Sequence, residues 1–117
     1  MTLRIAAVIF GIIFILIGIA GFIPVFTPNN FLLGLFMIDT PHNIIHLVSG
    51  VLGLLAAISI SCSIWYFRIF GIIYALVAIA GLISEDLIII HVNQADNILH
   101  VIIALVALYL GFFYKKY

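Results

Sequence analysis

Residues 5–23 read IAAVIFGIIFILIGIAGFI, an unbroken run of apolar residues and glycine that decides the fold class. As an α-helix, a run of this length spans the hydrocarbon core of a bilayer, which is about 30 Å thick. Membrane β-strands alternate apolar and polar residues, and this run does not alternate. The stretch therefore predicts a transmembrane helix.

Three further runs of the same kind follow along the chain. Together they predict helices over residues 4–23, 41–61, 66–84 and 95–114. Hydrophobic residues make up 68% of the chain and charged residues 7%, whereas soluble domains carry about 25% charged residues. The sequence predicts one all-α domain over residues 1–117, an integral membrane four-helix bundle surrounded by the lipid bilayer.

The charged residues separate by sign along this four-span pattern. The basic residues are Arg4, Arg68, Lys115 and Lys116, and the acidic residues are Asp39, Glu85, Asp86 and Asp96. The basic residues fall at both termini and between helices two and three, so the positive-inside rule predicts cytoplasmic N- and C-termini. Four basic residues provide no patch for nucleic acid, so nucleic-acid binding is not expected.

The two halves of the chain, residues 1–62 and 63–117, resemble each other. Nine of the fourteen positions in residues 10–23 are identical in residues 70–83. Two copies of a helix pair that insert in the same orientation are related by an axis along the membrane normal. We therefore expect two parallel two-helix repeats. Small residues four positions apart, such as Ala7 and Gly11, favour close helix packing and leave a homo-oligomer open.

One polar phrase occurs near the start of the second helix and again near the start of the fourth. The phrases are His42-Asn43-Ile44-Ile45-His46 and Asp96-Asn97-Ile98-Leu99-His100, which align at a shift of 54. Within each phrase the first and last residues lie one turn apart on the same helix face. If both faces point inward, three imidazoles and one carboxylate converge. The sequence thus predicts a metal site formed by His42, His46, Asp96 and His100.

Each of these residues also has a simpler interpretation. Asn93 and Asp96 have the spacing of a helix capping box. With Thr40 as cap and Pro41 at the first helical position, His42 is expected to be exposed. Ionisable residues deeper in a span are rare and usually functional, which favours ligand roles for His46 and His100 over a helix–helix hydrogen bond.

The residues around these phrases offer further candidate ligands and supports. Asn43 and Asn97 either orient the ligands as a second shell or bridge helices. His91 aligns with Met37 under the same shift, and both are candidate additional ligands. Imidazole suits first-row transition metals, so copper is expected first and zinc second, with iron and manganese as alternatives.

Several short segments resemble an uncharacterised family of bacterial four-transmembrane-helix proteins, a domain of unknown function. They are Gly21-Phe22-Ile23-Pro24, residues 30–39, His42-Asn43-x-x-His46-Leu47-x-x-Gly50 and Asp96-Asn97-x-x-His100. The resemblance covers nearly the whole chain. It implies a multi-pass protein of the bacterial inner membrane, which would direct the metal site towards the periplasm or exterior.

Three functions remain compatible with the sequence. The first is metal binding for metal homeostasis or metal-based redox chemistry, such as superoxide handling, since three-His, one-Asp ligand sets occur in superoxide dismutases. The second is a haem-binding membrane cytochrome with His46 and His100 as axial ligands. The third is a structural or partner-binding membrane subunit without a metal. The ligand types do not decide between storage, transfer and catalysis.

Overall fold

The computed structural model describes residues 2–87 and 90–115. In this part of the chain the fold is all-α, as predicted, with four α-helices. They are α1 (Leu3–Ala20), α2 (Thr40–Ala56), α3 (Ile60–Ile83) and α4 (Gln94–Leu108), and α4 continues as a π-helical segment, Tyr109–Phe113. The helices α1, α3 and α4 with its π-helical extension are long and apolar enough to cross a membrane.

The second helix is shorter than the sequence predicts. It ends at Ala56 rather than near residue 61, and α3 begins at Ile60 rather than near residue 66. The cause is Ser59, whose side chain accepts a hydrogen bond from the Cys62 N–H and so caps α3. At 17 residues, α2 lies at the lower end of the length that spans a bilayer.

Two long loops lie at one end of the bundle, which we call the histidine end. The first long loop, residues 21–39, has two 3-10 turns, Pro24–Phe26 and Pro28–Asn30, followed by a hairpin. Strands β1 (Phe31–Leu32) and β2 (Phe36–Met37) pair antiparallel, with Phe31 opposite Met37. The second long loop is residues 84–93. Leu32, Ile90 and Val92 are buried, so both loops pack onto the protein.

The opposite end, which we call the terminal end, carries both termini and the short connection between α2 and α3. There the Arg4 Nε–H donates to the Ala57 carbonyl at 2.7 Å, and the Arg68 Nε–H donates to the Gly111 carbonyl at 2.8 Å. Both arginines therefore satisfy free carbonyls at the C-terminal ends of neighbouring helices. The described basic and acidic residues thus lie at opposite ends of the bundle, although Lys116 is outside the described residues.

The buried positions follow the same register in both halves of the chain. Position by position at a shift of 60, the buried residues are Leu3, Ala6, Ala7, Gly11, Phe14, Gly18 and Gly21 in the first half, and Ser63, Tyr66, Phe67, Gly71, Tyr74, Ala78 and Gly81 in the second. At a shift of 54, five of the six buried residues of α2 have buried counterparts in α4, and the sixth, Ser49, aligns with the half-buried Ile103. Both helix pairs therefore turn equivalent faces towards the interior.

Candidate metal centre

The first turn of α2 is fixed by Asp39 rather than by Thr40. The Asp39 carboxylate accepts the His42 N–H at 2.8 Å and caps the helix, which begins at Thr40. The expectation that His42 is exposed is wrong, because its side chain is 1% exposed. The first long loop folds over this turn, and the backbone of Met37 lies beside the His42 imidazole. His42 is therefore an interior residue.

The first turn of α4 has the predicted capping box. Asn93 Oδ1 accepts the Asp96 N–H at 2.9 Å, and Asp96 Oδ2 accepts the Asn93 N–H at 2.9 Å. One carboxylate oxygen of Asp96 is thus already used by the helix terminus. Asp96 is buried like His42, its counterpart in the first half.

Asn43 and Asn97 join each histidine-bearing helix to its neighbour. The Asn43 Nδ2–H donates to the Gly21 carbonyl at 2.9 Å, and the Asn97 Nδ2–H donates to the Gly81 carbonyl at 3.0 Å. Both acceptors lie where the preceding helix ends. A Cβ atom at Gly21 or Gly81 would collide with the asparagine Oδ1, so glycine permits this close approach. Of the two predicted roles, helix bridging is the one that these contacts show.

The three predicted histidines lie together between α2 and α4. The ring centroid of His42 is 4.6 Å from that of His46 and 5.7 Å from that of His100, and His46 and His100 are 6.4 Å apart. Each side chain is at most 4% exposed. One candidate ligand atom from each histidine lies within 4.8 Å of the other two, and the three form a candidate metal-binding group.

Most of the imidazole nitrogens form no hydrogen bond with the described residues, although backbone groups of Met37 and His91 lie near the His42 ring. Of six buried side-chain polar atoms without a hydrogen bond in the described residues, four belong to this cluster: both nitrogens of His42, and Nδ1 of His46 and of His100. Leaving a buried polar atom unpaired costs about 1–3 kcal/mol, so native proteins rarely do so. Coordination to a metal ion would satisfy one nitrogen of each ring.

The spacing of the cluster sets how far the side chains must move around an ion. Zn–N bonds measure about 2.0–2.1 Å, so three nitrogens arranged around one ion lie about 3.4–3.6 Å from one another. Nitrogens 4.8 Å apart would therefore have to approach each other by about 1.2–1.4 Å to share an ion.

Two aromatic rings close the cluster on the side facing the terminal end. Phe14 lies 5.8 Å from the His46 ring, Tyr74 lies 5.6 Å from the His100 ring, and the two aromatic rings stack at 5.3 Å. Phe14 and Tyr74 correspond at the shift of 60, as His46 and His100 do at 54. The sequence analysis does not predict that Phe14 and Tyr74 lie beside the cluster, although the aligned repeat places two aromatic residues at equivalent positions.

The two aromatic residues differ by one hydroxyl group. The Tyr74 hydroxyl hydrogen-bonds with Ser49 Oγ at 2.9 Å, and the Tyr66 hydroxyl donates to the Ser49 carbonyl at 2.9 Å. These bonds join α3 to α2 directly beneath the cluster. At the equivalent positions, Phe14 and Ile103 have no polar side-chain atom. The hydrogen bond between α3 and α2 therefore has no counterpart between Phe14 of α1 and Ile103 of α4.

Replacing Tyr74 with phenylalanine is expected to lower the free energy of unfolding by about 1 kcal/mol, because it removes one buried hydrogen bond. Phe14 shows that a phenylalanine ring fits the equivalent position. Thermal unfolding in detergent measures the change, with Tyr109→Phe at an exposed tyrosine as control. Equal unfolding temperatures for both variants would show that the Ser49 contact does not stabilise the bundle.

The remaining predicted ligands lie apart from the three histidines. Asp96 and His91 are not part of the group that the histidines form. The His91 imidazole is 58% exposed, and its Nδ1 is 2.6 Å from Asp86 Oδ1. Met37 is half-buried in β2, with its backbone beside both His42 and Asp96. Roles for Asp96, His91 and Met37 in metal binding remain predictions.

The fold and the cluster define an all-α protein with three helices suited to span a membrane and three buried histidines able to hold a metal ion. The chain belongs to the family described as Domain of unknown function (DUF4383), which it matches over residues 4–113. The predicted resemblance to an uncharacterised family is thereby confirmed. No curated protein and no solved structure matches the chain.

Proposed function

We propose that this protein binds one transition-metal ion through His42, His46 and His100, and serves metal homeostasis or metal-based redox chemistry such as superoxide handling. The observation that carries the proposal is the group of three buried imidazoles with unpaired nitrogens. Neutral imidazole is a ligand for copper, zinc, iron and nickel, and copper binds most tightly among the divalent ions. We therefore rank copper first and zinc second, with iron and manganese as alternatives.

Three histidine ligands leave at least one coordination position open. Asp96 is the candidate fourth ligand, through the carboxylate oxygen that the capping box does not use. Water or an added ligand is the other occupant. An open position is what redox chemistry or transfer to a partner requires, whereas a structural site is closed by protein ligands.

The proposal includes an orientation and an internal repeat. The positive-inside rule directs the terminal end to the cytoplasm and the histidine end outward, to the periplasm in a bacterial inner membrane. The matching buried positions support two parallel two-helix repeats. The exposed acidic residues Glu85 and Asp86 at the histidine end would attract cations from that side.

The haem alternative fits the packing less well. A porphyrin must lie between its two axial ligands. The His42 ring lies close to both His46 and His100, at 4.6 and 5.7 Å, so a macrocycle would have to displace it. A structural subunit without metal gives four of the imidazole nitrogens no partner among the described residues. A metal site accounts both for the position of the His42 ring between the other two histidines and for the unpaired nitrogens.

Metal analysis of the purified protein tests the proposal. Protein prepared with a streptavidin-binding tag, in place of a histidine tag, and without chelators is expected to contain about one transition-metal ion per chain. Elemental mass spectrometry measures the ion, and an absorption spectrum without a Soret band excludes haem. A metal-free protein that also fails to bind added copper(II) or zinc(II) would overturn the proposal, and a Soret band would favour the cytochrome.

A further inference from the structure

The residues that cap α2 and α4 each form a second hydrogen bond, to the long loop of the other half. Asp39 Oδ1 caps α2, and Asp39 Oδ2 accepts the His91 N–H at 3.0 Å. Asn93 Oδ1 caps α4, and the Asn93 Nδ2–H donates to the Leu35 carbonyl at 2.9 Å. Asp39 and Asn93 are equivalent at the shift of 54, so the two contacts are reciprocal.

These two cross-loop bonds, Asp39 to His91 and Asn93 to Leu35, form what we call the clasp. The clasp lies over the histidine cluster, because the backbone of both Met37 and His91 lies beside the His42 imidazole. His46 and His100 are each seven residues beyond the caps, about 10 Å deeper at 1.5 Å per residue. The clasp therefore closes the histidine end above all three rings.

The described residues on the other sides of the cluster offer an ion no polar route. Phe14 and Tyr74 stack beneath the cluster at 5.3 Å. The outer faces of the helices are apolar, and a hydrated ion does not cross hydrocarbon without a large desolvation cost. An ion that reaches the histidines must therefore pass between the two long loops.

We propose that the clasp is the gate of the histidine cluster, and that opening its cross-loop bonds admits the ion. The proposal depends on the proposed function only in naming a metal ion as what passes. The chemistry of the clasp suits a gate because each bond joins a side chain to a loop backbone. Either bond can open while the cap below it remains, since the caps use Asp39 Oδ1 and Asn93 Oδ1.

Two substitutions each break one bond of the clasp without removing a cap. Asp39→Asn turns an amide donor towards the His91 N–H, and Asn93→Asp turns a carboxylate oxygen towards the Leu35 carbonyl. Asparagine and aspartate are equally good caps, so both helix starts are retained. The two variants change the net charge in opposite directions, so a shared effect cannot arise from charge alone.

Histidine modification of the metal-free protein measures the gate directly. With diethyl pyrocarbonate and peptide mass spectrometry, the wild type is expected to react at the exposed His91 and to protect His42, His46 and His100. Each clasp variant should raise the modification rate of the buried histidines about tenfold, the change expected for the loss of one hydrogen bond. Glu85→Gln is the control, because it removes an exposed charge from the second long loop without changing a clasp residue.

Three outcomes would overturn the gate: buried histidines that react as fast as His91 in the wild type, equal protection in the wild type and both clasp variants, or equal deprotection by Glu85→Gln. Either clasp variant alone suffices if the other fails to fold by circular dichroism. When copper(II) is then added, both variants should load and release it faster than the wild type, with unchanged stoichiometry. If no form binds metal, the proposed function fails while the modification result still decides the gate.

Discussion

Replacing His46 or His100 with alanine is expected to abolish stoichiometric metal binding while the protein still folds. Each substitution removes one of the three imidazoles, so only two histidine nitrogens remain to hold the ion. Losing a single ligand from a three-ligand site lowers affinity by orders of magnitude, since the ion must recruit water instead. Elemental analysis and copper(II) titration of the variants, prepared without a histidine tag, measure the loss.

The chain provides a matched control for this experiment. His91 is the fourth histidine, but its imidazole is exposed and contacts Asp86 outside the cluster. His91→Ala should therefore retain about one ion per chain. Retained binding in both His46→Ala and His100→Ala would contradict the assignment, and loss in His91→Ala alone would move the site to the loop surface.

The same titration tests the role of Asp96. Asp96→Asn keeps a side-chain oxygen for the capping box, so α4 should begin where it does in the wild type. A fall in affinity with intact helicity would identify Asp96 as the fourth ligand. Unchanged affinity would restrict the site to the three histidines and assign Asp96 to the helix terminus.

The sequence predicts the helices and the deep histidines well because both depend on local information. Uninterrupted apolar runs define spans, and the one-turn spacing in each phrase places His46 and His100 on faces that the structure buries. The capping box of Asn93 and Asp96 is also a local signal. These features need no knowledge of which segments meet.

The local sequence does not decide between a buried ligand and an exposed helix start for His42, because the burial of His42 depends on a loop. Thr40 and Pro41 resemble a helix start, whereas the structure uses Asp39 as the cap and folds the first long loop over the turn. The repeat contains a usable signal, since Asp39 aligns with Asn93, the predicted cap of α4. The clasp itself could not be predicted, because Asp39 and Asn93 bond to backbone groups, the His91 N–H and the Leu35 carbonyl, which every residue type has.

A glycine at the crossing of α1 and α2 gives the largest expected effect on stability. A Cβ atom at Gly50 would lie 2.6 Å from Ile15 Cγ1, 2.7 Å from the Gly11 carbonyl oxygen and 2.8 Å from the Ile15 nitrogen. Two of these atoms belong to the backbone and cannot rotate away, so the two helices would have to separate. Overpacking of this kind costs about 1–3 kcal/mol, and occasionally more. We expect Gly50→Ala to lower the free energy of unfolding by about 3 kcal/mol.

The second half of the chain provides the control, because Ala104 occupies the position equivalent to Gly50. Ala104→Gly should cost only about 1 kcal/mol, mainly through the lower helix propensity of glycine. Gly50→Ala should also weaken metal binding, since Gly50 is one turn from His46 and the displaced α2 carries both His42 and His46. Thermal unfolding and copper(II) titration measure the two effects. If Gly50→Ala unfolds at the wild-type temperature, the close contact between α1 and α2 is absent, and with it the packing that holds His42 and His46 beside His100.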